Sequence, residues 1–210
     1  DIENPVVAKV VDKYCTLKVG AQDCHGLDSG SYTGDISARM ISSLGAEYVI
    51  VGHSERRKGH LETNKYISSK VKAVIDQNMT AILCIGESKE VRDLNKHISF
   101  VKRQLTASIP VETVIDHLVV AYEPIWAIGT GVIPTFEQIE EMSGVVREVL
   151  DENFSDHIKS YSILYGGSAN VQNASEILAT KDLDGLLIGK ASLNASDFFT
   201  ICQKAYSLAS

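Results

Sequence analysis

An acidic residue, a proline and two glycines follow one short apolar run, and together they could form a base beneath a lid. Residues 118–122 are apolar throughout, which is typical of a parallel strand buried on both faces. Glu123 ends that run, and a buried carboxylate is costly unless it is paired or functional. The next segment, residues 124–131, starts with a rigid proline and has glycines at its far end, so it could swing as a unit. Glu123 is therefore a candidate general base that a closing loop shields from water, although a salt-bridged strand terminus would also explain it.

A histidine follows a second apolar run, and its chemistry depends on the residues after it. His53 comes directly after residues 49–52, and Ser54 with Glu55 could begin a helix. Backbone N–H groups at a helix start would point at the imidazole and disfavour its charged form, which leaves a neutral hydrogen-bond donor. A single histidine after a strand is nevertheless more often structural than catalytic. The two arginines that follow fit a solvated face or an interface equally well.

Two glycine-bearing turns follow the last two apolar runs and could bind an anion. Residues 166–168 read Gly-Gly-Ser after one run, and Gly189 with Lys190 follows the next. Backbone N–H groups of such turns, with the hydroxyl of Ser168, are the donors with which barrel enzymes hold a phosphate after their last strands. Each turn alone is a weak signal, but together with Gly129 in the candidate lid they predict a phosphate site.

The elements that must position these residues alternate along the chain. The apolar runs predict strands over residues 17–21, 48–52, 81–85, 119–122, 162–165 and 185–188. Helical spacing predicts helices over residues 37–43, 65–77, 96–107, 136–152, 174–179 and 197–207. Thr135 and Gln138 have the spacing of a capping box, and the inner stripe of the helix after it should contain Phe136, Ile139, Met142, Val145 and Val146. This alternation implies a parallel α/β sheet wound in one sense.

The alternation leaves an open doubly wound sheet and a closed (β/α)8 barrel as alternatives. An open sheet would be expected to carry one glycine-rich fingerprint after its first strand. Here polar and glycine-rich residues follow nearly every predicted strand, which is typical of a TIM barrel. A barrel of this kind has eight βα units, of which six are visible in the sequence.

The composition, with 44% apolar and 22% charged residues, is that of one globular domain over residues 1–210. The net charge of −7 argues against nucleic acid or an anionic membrane as a partner. The four cysteines lack metal-ligand spacing, so we expect reduced thiols, no metal and a cytoplasmic location. No apolar run approaches the roughly 18 residues of a membrane span.

Several of these segments resemble, in order and spacing, the triosephosphate isomerase family. They are residues 20–24, 31–37, the VGHSERR run 51–57, the AYEPIWAIGTG run 121–131, the YGGS run 165–168 and residues 184–189. The resemblance covers nearly the whole chain. It implies a TIM barrel that interconverts dihydroxyacetone phosphate and D-glyceraldehyde 3-phosphate in glycolysis and gluconeogenesis, as a homodimer without a metal or organic cofactor.

The resemblance also assigns roles to individual residues. Glu123 would move a proton between adjacent carbons and His53 would be a neutral electrophile, which are the family's established roles, with Ser54 and Glu55 in support. The lid would contain Pro124, Ile125, Trp126, Ala127, Ile128, Thr130 and Gly131. Backbone or hydroxyl donors of Gly129, Ser168, Gly189 and Lys190 would hold the phosphate, although relatives often have glycine in place of Lys190.

A long loop, residues 22–35, matches the family segment that reaches into a second subunit. Thr33 would lie near the tip of that loop. Arg56 would meet Asp35 across the interface. Many relatives have glutamate in place of Asp35, and the aspartate side chain reaches less far.

The largest departure from the family pattern lies at the front of the chain. In the family, two βα units precede the strand that residues 17–21 match, and the first carries an Asn-x-Lys pair whose lysine neutralises substrate charge. Residues 1–14 match at best the helix before the third strand. A six-stranded barrel would expose two sheet edges. We therefore expect either that residues before Asp1 belong to the working molecule, which the missing methionine favours, or that this is a true fragment.

Two other functions stay open at this stage. Another phosphate-binding barrel enzyme, such as an aldolase or a synthase of heterocycle biosynthesis, would usually need a Schiff-base lysine or a metal cluster, and no matching lysine ends a strand. A catalytically silent phosphate-binding barrel fragment, lacking the N-terminal lysine, is the alternative from a different class.

Overall fold

The computed structural model describes residues 17–130 and 132–209, through which a six-stranded sheet runs. The strands are β1 (Gly20–Ala21), β2 (Tyr48–Val51), β3 (Thr80–Ile85), β4 (Leu118–Tyr122), β5 (Tyr161–Tyr165) and β6 (Gly185–Leu186). Each strand pairs with the next in chain order, and every pairing is parallel. The predicted α/β architecture of the (β/α)8 type is confirmed, with six of its strands in the described residues.

Helices follow the strands, and six of the eight described match those that the periodicity predicts. They are α1 (Ala38–Ser43), α2 (Ser54–Gly59), α3 (Asn64–Asp76), α4 (Lys89–Asp93), α5 (His97–Ser108), α6 (Phe136–Phe154), α7 (Ala174–Leu178) and α8 (Ala195–Ala209). Two 3-10 helices, Ile125–Ala127 and Lys190–Leu193, follow β4 and β6. Helix α4 is not predicted because its five residues are too few to show an apolar stripe.

Helix α6 has the predicted capping box at its start and most of the predicted buried stripe. The capping box is present, since the side chain of Thr135 accepts from the N–H of Gln138 and the side chain of Gln138 accepts from the N–H of Thr135. Four of the five predicted inner residues are buried: Ile139, Met142, Val145 and Val146. The prediction for Phe136 is wrong, because this residue is 41% exposed at the first position of the helix.

The register of the central strands places one end of β4 level with its neighbours. All five residues of β4 are buried, as the apolar run predicts. Tyr122, its last residue, pairs with Ile85 of β3 on one side and Tyr165 of β5 on the other. The residues that follow these three strands, Gly86, Glu123 and Gly166, therefore meet at one edge of the sheet.

The two outer strands are the shortest. Both β1 and β6 have two residues, fewer than predicted, and each pairs with one neighbour among the described residues. A cavity of about 360 Å³ lies between β6 and α8, and its lining includes Leu186, Phe198 and Ile201. None of the predicted site residues lines this cavity.

Other sequence predictions concern cysteines, metals and membranes. Cys24 and Cys84 are buried and free, and Cys202 is exposed and free, whereas Cys15 and the helix predicted before β1 lie outside the described residues. Within residues 17–130 and 132–209, no group of three or more His, Cys, Asp and Glu is arranged to hold a metal ion. None of the helices described is long and apolar enough to cross a membrane.

Candidate active site

The structure brings Glu123 and His53 into direct contact at the end of the sheet. Glu123 is only 2% exposed, and its Oε1 lies 2.8 Å from Nε2 of His53. Ser54 holds the same carboxylate, because its backbone N–H donates to Oε2 at 2.9 Å and its hydroxyl donates to Oε1 at 3.3 Å. The carboxylate is therefore buried, hydrogen-bonded on both oxygens and paired with the imidazole.

The turn between β2 and α2 explains why these groups meet. Gly52 has a φ of 70°, a left-handed conformation that side chains rarely adopt. This turn ends the strand and makes His53 the N-cap of α2. The first N–H groups of a helix have no partner within it and point outward from its N-terminal end. Here the N–H of Ser54 points at Glu123.

The protonation of His53 differs from the prediction made from the helix start alone. The N–H of Glu55 does donate to Nδ1 of His53, at 3.3 Å, so Nδ1 must keep a lone pair and Nε2 carries the proton in the neutral ring. The hydrogen bond to Glu123, however, raises the pKa of His53 and outweighs burial, which lowers it. The helix start alone predicts that the charged imidazole is disfavoured. This prediction is wrong while Glu123 occupies its present position, because the net shift of the pKa is upward.

The His53–Glu123 pair makes stability depend on pH. Because the folded-state pKa of His53 is raised, its stabilisation is fully present below the ordinary histidine value of about 6.5 and is lost as pH rises through the folded value. We expect the free energy of unfolding, measured with urea between about pH 5 and pH 9, to show this fall. The variant Glu123→Gln should lack it, and an identical pH profile in both proteins would contradict the pairing.

Glycines on both sides of Glu123 allow its backbone to sit this deep. A Cβ added to Gly86 would lie 1.7 Å from the carbonyl oxygen of Glu123, and one added to Gly166 would lie 3.0 Å from its Cγ. The first distance is impossible for any side chain. Gly86 is therefore required for the position of the candidate base.

The first half of the predicted lid is tied to a buried carboxylate. Oε1 of Glu87, a residue with no exposed surface, accepts from Nε1 of Trp126 at 2.8 Å, from Nη1 of Arg92 at 3.0 Å and from the hydroxyl of Tyr122 at 3.1 Å. The guanidinium of Arg92 also lies over the indole ring, 5.3 Å from its centroid. Pro124, Ile125 and Ala127 belong to this anchored half, Ile128 follows it, Gly129 and Thr130 are exposed, and Gly131 lies outside the described residues.

The predicted phosphate donors lie after adjacent strands, and one of them is already engaged. The hydroxyl of Ser168 donates to the carbonyl oxygen of Ala127 at 3.0 Å, so it contacts the lid. Gly129 has a φ of 70° and no atom within 4 Å of an added Cβ. Gly189 and Lys190 are exposed at the start of the 3-10 helix after β6. The phosphate role of these four residues stays a prediction.

The residues predicted for the interface have contacts within the chain. Nε of Arg56 lies 2.7 Å from Asp23 and 2.7 Å from Glu62, so these two carboxylates are its partners here. Asp35 lies 3.5 Å from Nε2 of His25, and Thr33 is exposed in a turn. Their place at a subunit interface stays a prediction.

Two buried polar residues are not identified from the sequence. Gln104 is buried in α5, and Lys70 is buried in α3. The available signal was their position, because Gln104 lies next to Leu105 and Lys70 next to Val71 on the buried faces of their helices. A polar residue on an apolar stripe indicates a partner in the core.

Comparison with known proteins places this geometry in context. Residues 3–205 match the family model described as triosephosphate isomerase. A triosephosphate isomerase of Rhizobium etli is 47% identical over 195 residues, which cover 91% of this chain and 76% of that protein. One of Bradyrhizobium diazoefficiens is 44% identical over 200 residues, covering 94% and 80% respectively.

A solved structure agrees with these matches. The crystal structure of triosephosphate isomerase from Bartonella henselae has a TM-score of 0.85 to this chain at 37% sequence identity. The match covers 95% of this chain and 82% of that one. The likeness therefore extends over almost all of the chain and most of the solved protein.

Proposed function

Because the chain belongs to the triosephosphate isomerase family, we propose that it interconverts dihydroxyacetone phosphate and D-glyceraldehyde 3-phosphate. The observation that carries this function is the contact of 2.8 Å between Glu123 and His53 at the end of β4. The reaction needs a base beside one carbon and a hydrogen-bond donor beside the carbonyl oxygen. Glu123 and His53 supply these two groups.

In the proposed mechanism, Glu123 removes a proton from the hydroxymethyl carbon, C1, of dihydroxyacetone phosphate. The electron pair of that C–H bond forms the C1–C2 double bond of an enediolate. Nε2–H of His53 stabilises the negative charge that develops on the former carbonyl oxygen, at C2. Return of the proton from Glu123 to C2, with a proton shift between the oxygens, gives the aldehyde. No atom is gained or lost overall, so the reaction needs no co-reactant.

Glu123 has to leave its present partners before it can reach a substrate. Its two oxygens are held by Ser54 and His53, so substrate binding must replace these hydrogen bonds. Once Glu123 has moved, the main influence that raises the pKa of His53 is gone. The N–H of Glu55 at Nδ1 then favours the neutral imidazole that the mechanism requires.

The lid and the two glycine turns complete the proposed site. Closing of residues 124–131 over Glu123 would exclude water, which protects the enediolate from losing its phosphate. On closing, the hydroxyl of Ser168 would leave the carbonyl oxygen of Ala127 and donate to the phosphate instead. The N–H groups of Gly129, Gly189 and Lys190 would donate to the same phosphate. Within the same proposal, residues 1–210 form one domain of a cytoplasmic homodimer whose interface includes Thr33, Asp35 and Arg56.

The function is tested by turnover in D2O with two substrates. We expect dihydroxyacetone phosphate to be converted to glyceraldehyde 3-phosphate carrying solvent deuterium at C2, because the proton passes through Glu123. Dihydroxyacetone, which lacks the phosphate, should react at least about 10³-fold more slowly in kcat/KM, since remote binding energy assists the chemical step. Equal rates for the two would contradict the phosphate site. Binding of the phosphate ester without any turnover would instead support the silent barrel.

A further inference from the structure

Strands β2 and β3 separate immediately before the proposed active site. Their last paired residues are Val51 and Leu83. Gly52 then turns the chain into α2, while β3 continues to Ile85. In a parallel sheet, backbone groups of alternate residues face alternate neighbours. The groups of β3 that face β2 beyond Leu83 therefore need partners other than a strand.

Two side chains supply those partners, the partly buried Arg57 and the buried Gln104. The guanidinium of Arg57 donates to the carbonyl oxygen of Gly52 at 2.7 Å and to that of Cys84 at 2.9 Å, so it bridges the gap. Burial lowers the pKa of Arg57 to about 10, which leaves it charged at neutral pH. Further along, Oε1 of Gln104 accepts from the N–H of Gly86 at 2.8 Å.

The hydrogen bond to Gln104 fixes the peptide group between Ile85 and Gly86, which also forms a hydrogen bond to the backbone of Glu123. The carbonyl oxygen of Ile85 accepts from the N–H of Glu123 at 2.7 Å, and the N–H of Gly86 belongs to the same peptide plane. Gln104 therefore binds the N–H side of this peptide plane, and the carbonyl side binds the backbone N–H of Glu123. Because the α-carbon of Gly86 lies directly against the backbone of Glu123, a rotation of the plane must also move Glu123.

We propose that Gln104 is a positioning residue, which sets the place of Glu123 relative to His53 by fixing the Ile85–Gly86 peptide plane. This role rests on the proposed isomerase function. Gln104 is 6% exposed, so a buried N–H of Gly86 that lost this acceptor would gain no water in exchange. The peptide plane would have to rotate to find another partner, and Glu123 would move with it.

The test compares Gln104→Met with Leu105→Val in the full chain. Methionine keeps the length of glutamine but has no comparable acceptor, so we expect kcat to fall about tenfold with KM changed less than about twofold, as for a displaced catalytic group. Leu105 is the neighbouring buried residue of α5, and its substitution loosens the same helix but keeps the hydrogen bond between Gln104 and Gly86. It should lower Tm while kcat stays within about twofold of wild type.

A second measurement is independent of turnover. The His53 imidazole, assigned by its loss in His53→Gln, is titrated by NMR in both variants. Glu123 and Glu55 are the acidic groups that raise its pKa. In Gln104→Met we expect this pKa to fall toward the ordinary histidine value, whereas in Leu105→Val it should match wild type.

The outcomes separate this role from the proposed function. If the wild-type chain is active and Gln104→Met matches Leu105→Val in kcat or in the pKa of His53, the positioning role is refuted. If the wild-type chain has no turnover, the isomerase function fails and the titration alone decides whether Gln104 places Glu123 against His53. If the pKa falls and kcat falls at constant KM, both proposals stand.

Discussion

Replacing Glu123 by glutamine is expected to lower kcat by about 10² to 10⁴-fold, the range that a positioned general base contributes. Glutamine has nearly the same shape but cannot take a proton from carbon. Because the carboxylate acts mainly in the transition state, KM should change by less than about threefold. Steady-state kinetics in both directions measure the effect, and it should be equal in both because the same base serves each.

Two further variants make this result specific to the position of the carboxylate. Glu123→Asp keeps a carboxylate that is one methylene shorter, so its activity should lie between that of wild type and that of Glu123→Gln. Glu140→Gln removes an exposed carboxylate from α6 and should leave kcat unchanged. Full activity in Glu123→Gln would refute the proposed mechanism, whatever the relatives are called.

The sequence predicts the sheet well because local signals report burial directly. The five apolar residues before Glu123 indicate a strand buried on both faces, and β4 is such a strand. The capping box at Thr135 is equally local, since its two partners are three residues apart. Phe136 shows the limit, because an apolar stripe does not reveal where a helix first meets the sheet.

The supporting contacts could not be predicted because they join residues that are distant in the chain. Nothing local to Gln104 indicates that it meets Gly86, and nothing local to Glu123 indicates that Ser54 holds it. The same limit explains the error on His53. Its own helix start favours the neutral ring, but the partner that dominates its pKa comes from another strand.

Replacing Lys70 by methionine is expected to lower the free energy of unfolding by about 3 to 5 kcal/mol, the cost of breaking a buried ion pair from one side. The side chain of Lys70 is 1% exposed, and its Nζ lies 2.7 Å from Asp23 and 2.6 Å from Glu62. Arg56 contacts both carboxylates as well. In the variant, the buried carboxylate of Glu62 and the partly buried one of Asp23 would share one cation. Oε2 of Glu62 already has no hydrogen-bond partner among the described residues.

The matched control is Lys72→Met, two residues further along α3. Lys72 is 49% exposed and pairs with Asp76 at 2.7 Å, so its loss should cost no more than about 0.5 kcal/mol. Both variants are measured by urea unfolding at neutral pH. Equal losses would show that Lys70 is not bound as the structure indicates.

A double variant then distinguishes lost packing from uncompensated charge. Lys70→Met with Glu62→Gln leaves Asp23 and Arg56 as one balanced pair, which lie 2.7 Å apart. If charge imbalance causes the loss, the double variant should be more stable than Lys70→Met alone by about 0.5 to 3 kcal/mol, the usual size of coupling between contacting groups. If packing of the lysine stem causes it, the second substitution should add a further loss. The first outcome is expected because burial, the largest single influence, raises the pKa of Glu62, yet the hydrogen bonds and charges of Lys70 and Arg56 together lower it overall.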